Sequence, residues 1–197
     1  FSVYNSLAAI SVAEKMGCSV ENIRKALEEV RVPGRSELVD NKLGLTIMLD
    51  YAHSPESLQS ILQAVKAYTR GRVISVFGCG GDRDHGKRPI MGEISGKIAN
   101  YTIITSDNPR TENPDEIVKD IEVGMKKTKA KYECIVNRTE AIRKAIDMAK
   151  KTDIIVLAGK GHETYQEINH VKYPYDERTI IKELIDEKMS TQEGTQD

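Results

Sequence analysis

The residues best suited to chemistry form a turn in the middle of the chain, residues 106–110 (Ser-Asp-Asn-Pro-Arg). The turn follows residues 101–105, whose crowded β-branched side chains predict a buried parallel strand. Pro109 lacks a backbone N–H and biases Asn108 toward an extended conformation, so the strand must end and the chain must turn. Open α/β sheets bind ligands at this edge. Arg110 on such a turn is suited to a bidentate clamp on a carboxylate, and a solvated polar turn is the alternative.

A glycine-rich loop, residues 78–89, follows a second predicted strand and has three glycines among its first four residues. Those glycines let the backbone approach a ligand closely. The loop is not a dinucleotide fingerprint, because Arg83 stands where Gly or Ala is required. It is not a Walker A loop either, because Lys87 lacks the required glycine and hydroxyl frame. Its alternating acids and bases favour a polar, zwitterionic or phosphorylated ligand, and a flexible solvated loop is the alternative.

Two further loops follow predicted strands. Asp50 ends one strand and His53 precedes a helix, a combination suited to holding a ribose, stacking on a base or assisting phosphate chemistry, or simply to capping a turn. The other loop, residues 159–163 (Gly-Lys-Gly-His-Glu), pairs backbone freedom with an acid. Glu163 is a candidate for receiving an ammonium group or for a surface salt bridge. A zinc protease is excluded because Gln166 stands where the second histidine is required.

Together the loops offer two guanidinium groups, Arg83 and Arg110, for carboxylates. They also offer two carboxylates, Asp107 and Glu163, for ammonium groups. This inventory is the one needed to bind an amino acid with charges at both ends. The residue chemistry alone does not name that molecule.

Alternating strands and helices are predicted to position these loops. Apolar patterning from residue 37 onward predicts strands at 45–50, 72–77, 101–105, 132–136 and 153–158, helices at 55–68, 89–99, 114–127, 139–150 and 176–188, and a short strand or hairpin at 164–172. Repeated strand–helix units predict an α/β fold: a Rossmann-like, mostly parallel sheet with helices on both faces. Residues 4–16 and 19–29 predict a helical hairpin too small to bury its own apolar faces. A frayed polar tail is expected from residue 189.

Composition narrows the class of protein further. The chain has 197 residues and a net charge of −1, so no general attraction to nucleic acid is expected. No apolar run approaches the roughly 18–20 residues that span a bilayer, so no membrane segment is expected. Three cysteines without metal-ligand spacing favour free thiols in a reducing compartment, hence a cytoplasmic location and no metal site. The start at Phe1, inside a predicted helix, suggests a piece of a longer polypeptide.

Five of these segments, taken in order, resemble the Mur ligases: residues 50–55, 78–84, 87–89, 107–110 and 159–163. The opening residues 3–9 also look like the end of that family's central ATPase domain, and residues 32–35 look like its hinge. The resemblance implies that residues 1–32 end the ATPase domain and that residues 33–36 form the hinge. It further implies an amino-acid-binding domain over residues 37–190 and a disordered tail over residues 191–197.

The resemblance implies an ATP-dependent ligase of peptidoglycan synthesis, in which a carboxylate is phosphorylated and an incoming amine attacks the acyl phosphate. Arg110 implies the form that adds meso-diaminopimelate to UDP-N-acetylmuramoyl-L-alanyl-D-glutamate, because the far carboxylate of that amino acid would pair with the guanidinium. L-Lysine brings an ammonium to the same region without that carboxylate, a mismatch costing on the order of several kcal/mol if desolvated. The implied partners are meso-diaminopimelate, UDP-N-acetylmuramoyl-L-alanyl-D-glutamate and the rest of the same chain. The implied full-length enzyme is a monomer.

Site residues carry over from the family by position. The amino-acid site falls on Arg83, Asp107, Asn108, Pro109, Arg110, Gly159 and Glu163. The ATP site falls on Asn5, Arg35 and Asp50, with Tyr51 and His53 as weaker candidates. No complete catalytic set is implied, and Asp82 and Lys87 are candidates for assisting around the phosphates.

Much of the family's machinery has no counterpart in this sequence. ATP and Mg²⁺ are expected to be bound mainly by the central domain, whose phosphate loop is absent here. The 197 residues alone are therefore expected to be inactive. A stand-alone Rossmann-like module that binds a small molecule is the alternative, and an NAD-dependent dehydrogenase is disfavoured by Arg83.

Overall fold

The structure is a computed structural model that describes residues 2–193 of the chain. The chain divides into two compact units, one ending at Val32 and the other beginning at Pro33. The division falls at the start of the segment predicted to be a hinge, residues 33–36.

The first unit is a helical hairpin of α1 (Ser2–Lys15) and α2 (Val20–Glu29). Gly17 follows the first helix with φ +82°, a conformation that favours glycine. The Ser19 hydroxyl caps the second helix by accepting a hydrogen bond from the Asn22 N–H at 3.3 Å. Large apolar side chains remain exposed on the first helix, as the sequence predicted: Val3, Tyr4, Leu7 and Val12.

The second unit alternates strands and helices around one large sheet. Its elements are β1 (Glu37–Leu38), β2 (Thr46–Asp50), α3 (Pro55–Tyr68), β3 (Val73–Phe77), α4 (Lys87–Ile98), β4 (Tyr101–Ile104), α5 (Pro114–Met125), β5 (Lys131–Cys134), α6 (Arg138–Met148), β6 (Ile154–Ala158), β7 (Tyr165–Ile168), β8 (Val171–Pro174) and α7 (Glu177–Glu193). The sheet order is β1-β2-β6-β3-β4-β5, with β1 antiparallel and every other pairing parallel. This confirms the predicted Rossmann-like, mostly parallel α/β fold.

Helices cover both faces of the sheet. Apolar residues of α3, α4 and α5 form one buried cluster with the sheet, and those of α6 and α7 form the other. Strands β3, β4 and β5 proceed outward in order, whereas β6 returns to lie between β2 and β3. The order in which the strands are added therefore reverses between β3 and β6, whose carboxyl ends lie side by side. Doubly wound folds bind ligands at such a point.

Most predicted elements are present, with differences at their ends. β1 was not predicted, because two residues carry no readable periodicity. α4 begins at Lys87 rather than Pro89, because a proline in the first turn of a helix lacks only an N–H that has no intrahelical partner. β7 and β8 form the predicted hairpin, and its two turn residues, Asn169 and His170, both have positive φ.

The prediction that the chain frays from residue 189 was wrong for residues 189–193, because α7 continues to Glu193. Near its end, Lys188 donates hydrogen bonds to the Asp147 carboxylate at 2.8 Å and to the Ile146 carbonyl at 3.3 Å. Met189 packs against the apolar cluster beneath α6. These contacts hold a polar helix end that local sequence alone would not stabilise. Residues 194–197 of the predicted disordered tail lie outside the described residues.

Candidate functional site

A cavity of about 350 Å³ lies at the carboxyl edge of the sheet. It is lined by the loops that follow four parallel strands: Tyr51 and His53 after β2, Gly78, Cys79, Gly80, Arg83, Asp84 and Lys87 after β3, Asp107, Asn108 and Arg110 after β4, and Gly159 and Glu163 after β6. The structure therefore brings both predicted guanidinium groups and both predicted carboxylates to one cavity.

A larger cavity of about 620 Å³ lies elsewhere on this unit, next to Thr46 and Ile154 at the amino ends of β2 and β6. It has a mostly apolar lining and contains none of the side chains selected from the sequence. Size alone does not identify a site, whereas convergent charged groups at a strand-order reversal do. We assign the candidate site to the smaller cavity.

Asn108 connects three parts of the site although it is almost fully buried. Its side-chain nitrogen donates to the Glu163 carboxylate at 2.8 Å. Its side-chain oxygen accepts from the Lys160 ammonium at 3.0 Å and from the Glu167 backbone N–H at 3.0 Å. The amide thus fixes the position of the carboxylate that could receive an ammonium group.

Arg110 is held by the β7–β8 hairpin and by the glycine-rich loop. Its backbone has φ +51° and forms an isolated bridge, with its N–H donating to the Glu167 carbonyl at 3.0 Å and its carbonyl accepting from Asn169 at 2.8 Å. Its guanidinium donates to the Glu167 carboxylate at 3.1 Å and to the Gly81 carbonyl at 2.8 Å. The hairpin was predicted only as a secondary element, and its role in orienting this arginine was missed.

Arg88 holds the glycine-rich loop in place from inside the fold, and its side chain is 1% exposed. Its guanidinium donates to the Gly80 carbonyl at 3.4 Å, to Glu112 at 2.8 Å and to Asp120 at 2.9 Å. Hydrogen bonding from this guanidinium lowers the pKa of Glu112. The loop that carries Arg83 is therefore supported by a buried arginine paired with two partly exposed acids, although Arg83 itself is exposed.

The two catalytic candidates lie in different surroundings. The Lys87 ammonium lines the cavity and donates to the His53 carbonyl at 2.9 Å. The Asp82 carboxylate instead accepts hydrogen bonds from the Thr111 hydroxyl at 2.6 Å and the Thr111 N–H at 3.2 Å. The hydroxyl contact lowers the pKa of Asp82. Asp82 is not among the lining residues, and its geometry is that of a turn-stabilising acid.

Lys160 is a site residue that sequence reasoning passed over. Its side chain is fully buried, with the ammonium 3.4 Å from the Glu163 carboxylate and 4.0 Å from the Asp107 carboxylate. Burial lowers the pKa of Lys160, and the charge of Asp107 opposes that effect. The only signal in the sequence was its place between two glycines in the 159–163 loop. Because lysines are rarely buried, the burial of Lys160 could be recognised only in the structure.

The ATP-site candidates of the second unit lie around Tyr51. The Arg35 guanidinium carbon lies 4.9 Å from the centre of the Tyr51 ring. The Tyr51 ring centre lies 4.6 Å from that of His53 and 5.0 Å from that of His162. This group of flat side chains is suited to stacking on a base. His162 was not selected from the sequence.

The other two ATP-site candidates have different positions. The Asp50 carboxylate is buried and accepts a hydrogen bond from the Ser36 N–H at 2.8 Å, so it stabilises the 33–36 segment. Asn5 lies exposed on α1 in the first unit, and its assignment stays a prediction. Among residues 2–193, no group of three or more His, Cys, Asp or Glu side chains could hold a metal ion. No described residue is therefore assigned to Mg²⁺.

Cys79 lines the cavity but is nearly inaccessible, and burial raises the pKa of its thiol to about 12. At pH 8 its thiolate should be about 1,000-fold rarer than that of an ordinary cysteine. We expect a thiol-alkylating reagent to label the exposed Cys18 and Cys134 in the native protein and Cys79 only after denaturation. Mass spectrometry of the labelled peptides measures this. Native labelling of Cys79 at the rate of the other two would contradict the described burial.

The fold and the cavity together define a Rossmann-like α/β domain with a cavity at the strand ends that is lined by several charged side chains. A protein-family model for "Mur ligase, glutamate ligase domain" matches residues 34–161, and the chain belongs to this family. In the described part of the chain, no helix is long and apolar enough to cross a membrane.

Three similar proteins, two matched by sequence and one by structure, are named 2,6-diaminopimelate ligases. The chain is 53% identical over 187 residues to the UDP-N-acetylmuramoyl-L-alanyl-D-glutamate–2,6-diaminopimelate ligase of Caldanaerobacter subterraneus subsp. tengcongensis, and 50% identical over 190 residues to ligase 1 of that name from Clostridium acetobutylicum. A solved structure of a ligase of this name is 38% identical, with a TM-score of 0.75 over 95% of this chain. In all three cases the match covers 95% of this chain and 39% of the relative's length.

Proposed function

We propose that this chain is the C-terminal part of an ATP-dependent ligase that adds meso-diaminopimelate to UDP-N-acetylmuramoyl-L-alanyl-D-glutamate in peptidoglycan synthesis. The observation that carries the proposal is the single cavity lined by Arg83, Arg110, Asp107 and Glu163. Residues 37–190 would be the amino-acid-binding domain. Residues 1–32 would complete a central ATPase domain, with residues 33–36 as the hinge.

In this proposal the charges of the cavity match those of the amino acid. The Arg110 guanidinium is oriented at the cavity wall by Glu167 and the Gly81 carbonyl, and it would clamp the far carboxylate with Arg83 nearby. Asp107 and Glu163 would receive ammonium groups, with Asn108 holding Glu163 in place. Gly159 has φ +115°, a conformation that favours glycine, and a Cβ there would also press on the Asp107 carboxylate.

The contribution of this chain to the reaction would be to bind and orient the attacking amine. A carboxylate becomes a competent electrophile once ATP has converted it to an acyl phosphate. The amine held in the cavity, once it has lost a proton to solvent and is neutral, would attack the acyl carbon. The carbon–oxygen bond to phosphate would then break, phosphate would leave, and the nitrogen would release a second proton to give the amide. Lys87 lines the same cavity, and its positive charge would stabilise the negative charge that develops near the phosphate. Arg35, Tyr51 and His53 would contact the nucleotide. Most nucleotide and Mg²⁺ contacts would come from outside this chain.

The test is an activity assay on the full-length protein of which this sequence is part. We expect ADP release and amide formation with meso-diaminopimelate, and a kcat/KM for L-lysine at least about 100-fold lower, because a charge mismatch of a few kcal/mol corresponds to that ratio. Equal use of L-lysine would contradict the assigned specificity. Absence of any ATP-dependent product would contradict the proposed reaction. The chain of 197 residues alone serves as the control and should form no product.

A further inference from the structure

Arg138 is the first residue of α6, and its guanidinium is completely buried beneath the candidate site. It donates to the Ser106 carbonyl at 3.3 Å and to the Ala158 carbonyl at 3.0 Å. Its third contact is to the Glu177 carboxylate at 2.8 Å. Each of the two carbonyls belongs to the residue just before a proposed ligand-binding residue: Asp107 follows Ser106, and Gly159 follows Ala158.

The two segments joined by this guanidinium are not neighbours in the sheet. β3 lies between β4 and β6, so no ladder hydrogen bonds connect the ends of those two strands. Beyond the last paired residues of β4 and β6, the distance between the loops that follow them is set by contacts other than ladder hydrogen bonds. A planar guanidinium with donors in a fixed fork can hold two carbonyls at a set distance, whereas a lysine presents a single flexible point charge.

Burial disfavours the charge of this arginine, but the nearby carboxylates, Glu177 foremost, outweigh that effect and leave the pKa of Arg138 raised. Glu177 is 1% exposed and supplies the counter-charge, but its second carboxylate oxygen has no hydrogen-bond partner. The negative charge of Asp107 also acts favourably on Arg138, and the buried Lys160 ammonium opposes it. Buried ion pairs of this kind contribute little net stability compared with apolar residues. What the pair does provide is a fixed geometry, since the guanidinium bonds to two loop carbonyls at once.

We propose that Arg138, with Glu177 as its counter-ion, is a positioning residue that sets the spacing between the Asp107 turn and the 159–163 loop, so that Asp107 and Glu163 can share one ammonium-bearing amino acid. This inference rests on the proposed function for its substrate class. It adds a residue that lines no part of the described cavity and that none of the sequence motifs contained.

The test compares Arg138→Lys with Arg72→Lys in the full-length protein. Arg72 likewise pairs with a buried acid, Asp153, at 2.7 Å and donates to the Met148 carbonyl at 2.7 Å, but its own side chain is 37% exposed and lies at the opposite edge of the sheet. We expect Arg138→Lys to raise the KM for meso-diaminopimelate by about 10- to 100-fold, because a misplacement of about 1 Å has effects of this size. The KM for ATP should change less than about 3-fold. Arg72→Lys should lower the melting temperature and leave both KM values near wild type.

Hydrogen exchange gives a second readout that does not depend on activity. In Arg138→Lys, amide protons of residues 106–108, 110 and 159–163 should exchange faster, while those of β3 should be unchanged. Glu177→Gln is the milder variant if Arg138→Lys does not fold, because its amide oxygen can still accept from Arg138, and a smaller effect in the same direction is expected. Wild-type KM values and exchange in a folded Arg138→Lys protein would overturn the inference. A wild-type protein inactive with meso-diaminopimelate would instead overturn the proposed function, and the exchange result would still decide the positioning role.

Discussion

Replacing Arg110 by alanine in the full-length protein is expected, under the proposed function, to raise the KM for meso-diaminopimelate by about 100-fold or more and to change the KM for ATP by less than about 3-fold. Truncating one partner of a desolvated charge pair costs roughly 2–5 kcal/mol, and each 1.4 kcal/mol corresponds to a factor of about ten. The substitution does not change backbone strain, because alanine and arginine both carry a Cβ and are equally disfavoured at the observed φ of +51°. Steady-state kinetics with each substrate varied in turn measures the effect.

Two control variants separate this role from a general loss of stability. Arg70→Ala removes a guanidinium beside the larger cavity, away from the proposed site, and should leave both KM values unchanged. Arg110→Lys retains the charge but cannot make the bidentate contact, so its effect should lie between those of wild type and alanine. Equal increases in both KM values for Arg110→Ala would show that the residue does not recognise the amino acid.

Glu163→Gln should have the second largest effect, raising the KM for meso-diaminopimelate by about 10- to 100-fold. The glutamine keeps the shape and can still bond to Asn108, but it no longer offers a negative charge to an ammonium group. It also leaves the buried Lys160 with a weaker counter-charge, so a loss of about 1–3 kcal/mol of stability should accompany the kinetic effect. Kinetics and thermal unfolding of the same preparation measure both quantities.

Glu116→Gln is the matched control for that experiment, because Glu116 pairs with Lys119 on the exposed face of α5. Exposed pairs of this kind contribute about 0–1 kcal/mol, so neither the KM nor the stability should change appreciably. If the Glu163→Gln protein had a wild-type KM for meso-diaminopimelate, Glu163 would not belong to the ammonium site. Asp107 would then be the remaining candidate.

The sequence was sufficient to predict the sheet and most of the cavity lining. Apolar segments of five or six residues revealed the parallel strands, and Pro109 marked the end of β4. Because parallel strands end at a common edge, polar residues after each strand were expected to meet, and Arg83, Arg110, Asp107 and Glu163 line one cavity. The return of β6 to a place between β2 and β3 was not predicted, since local patterns do not encode strand order.

What the sequence could not reveal is which charged side chains are buried. Arg88, Arg138 and Lys160 look like ordinary surface cations in the sequence, and each is at most 2% exposed in the fold. Their burial follows from contacts between residues far apart in the chain, such as that of Arg138 with Glu177. Conversely, Asp50 was selected because it ends a strand and matches the family's ATP site, and Asp82 was selected from the family resemblance. Their carboxylates bond to Ser36 and Thr111 within the chain, and any contact with ATP or phosphate stays a prediction.

The central claim is that one cavity recognises both charged ends of meso-diaminopimelate. A crystal structure of the full-length protein with that amino acid tests it most directly. The account predicts the far carboxylate within hydrogen-bonding distance of the Arg110 guanidinium and an ammonium group within the same distance of Asp107 or Glu163, with no comparable density for L-lysine at equal concentration. A bound ligand that touches neither Arg110 nor these two acids would contradict it.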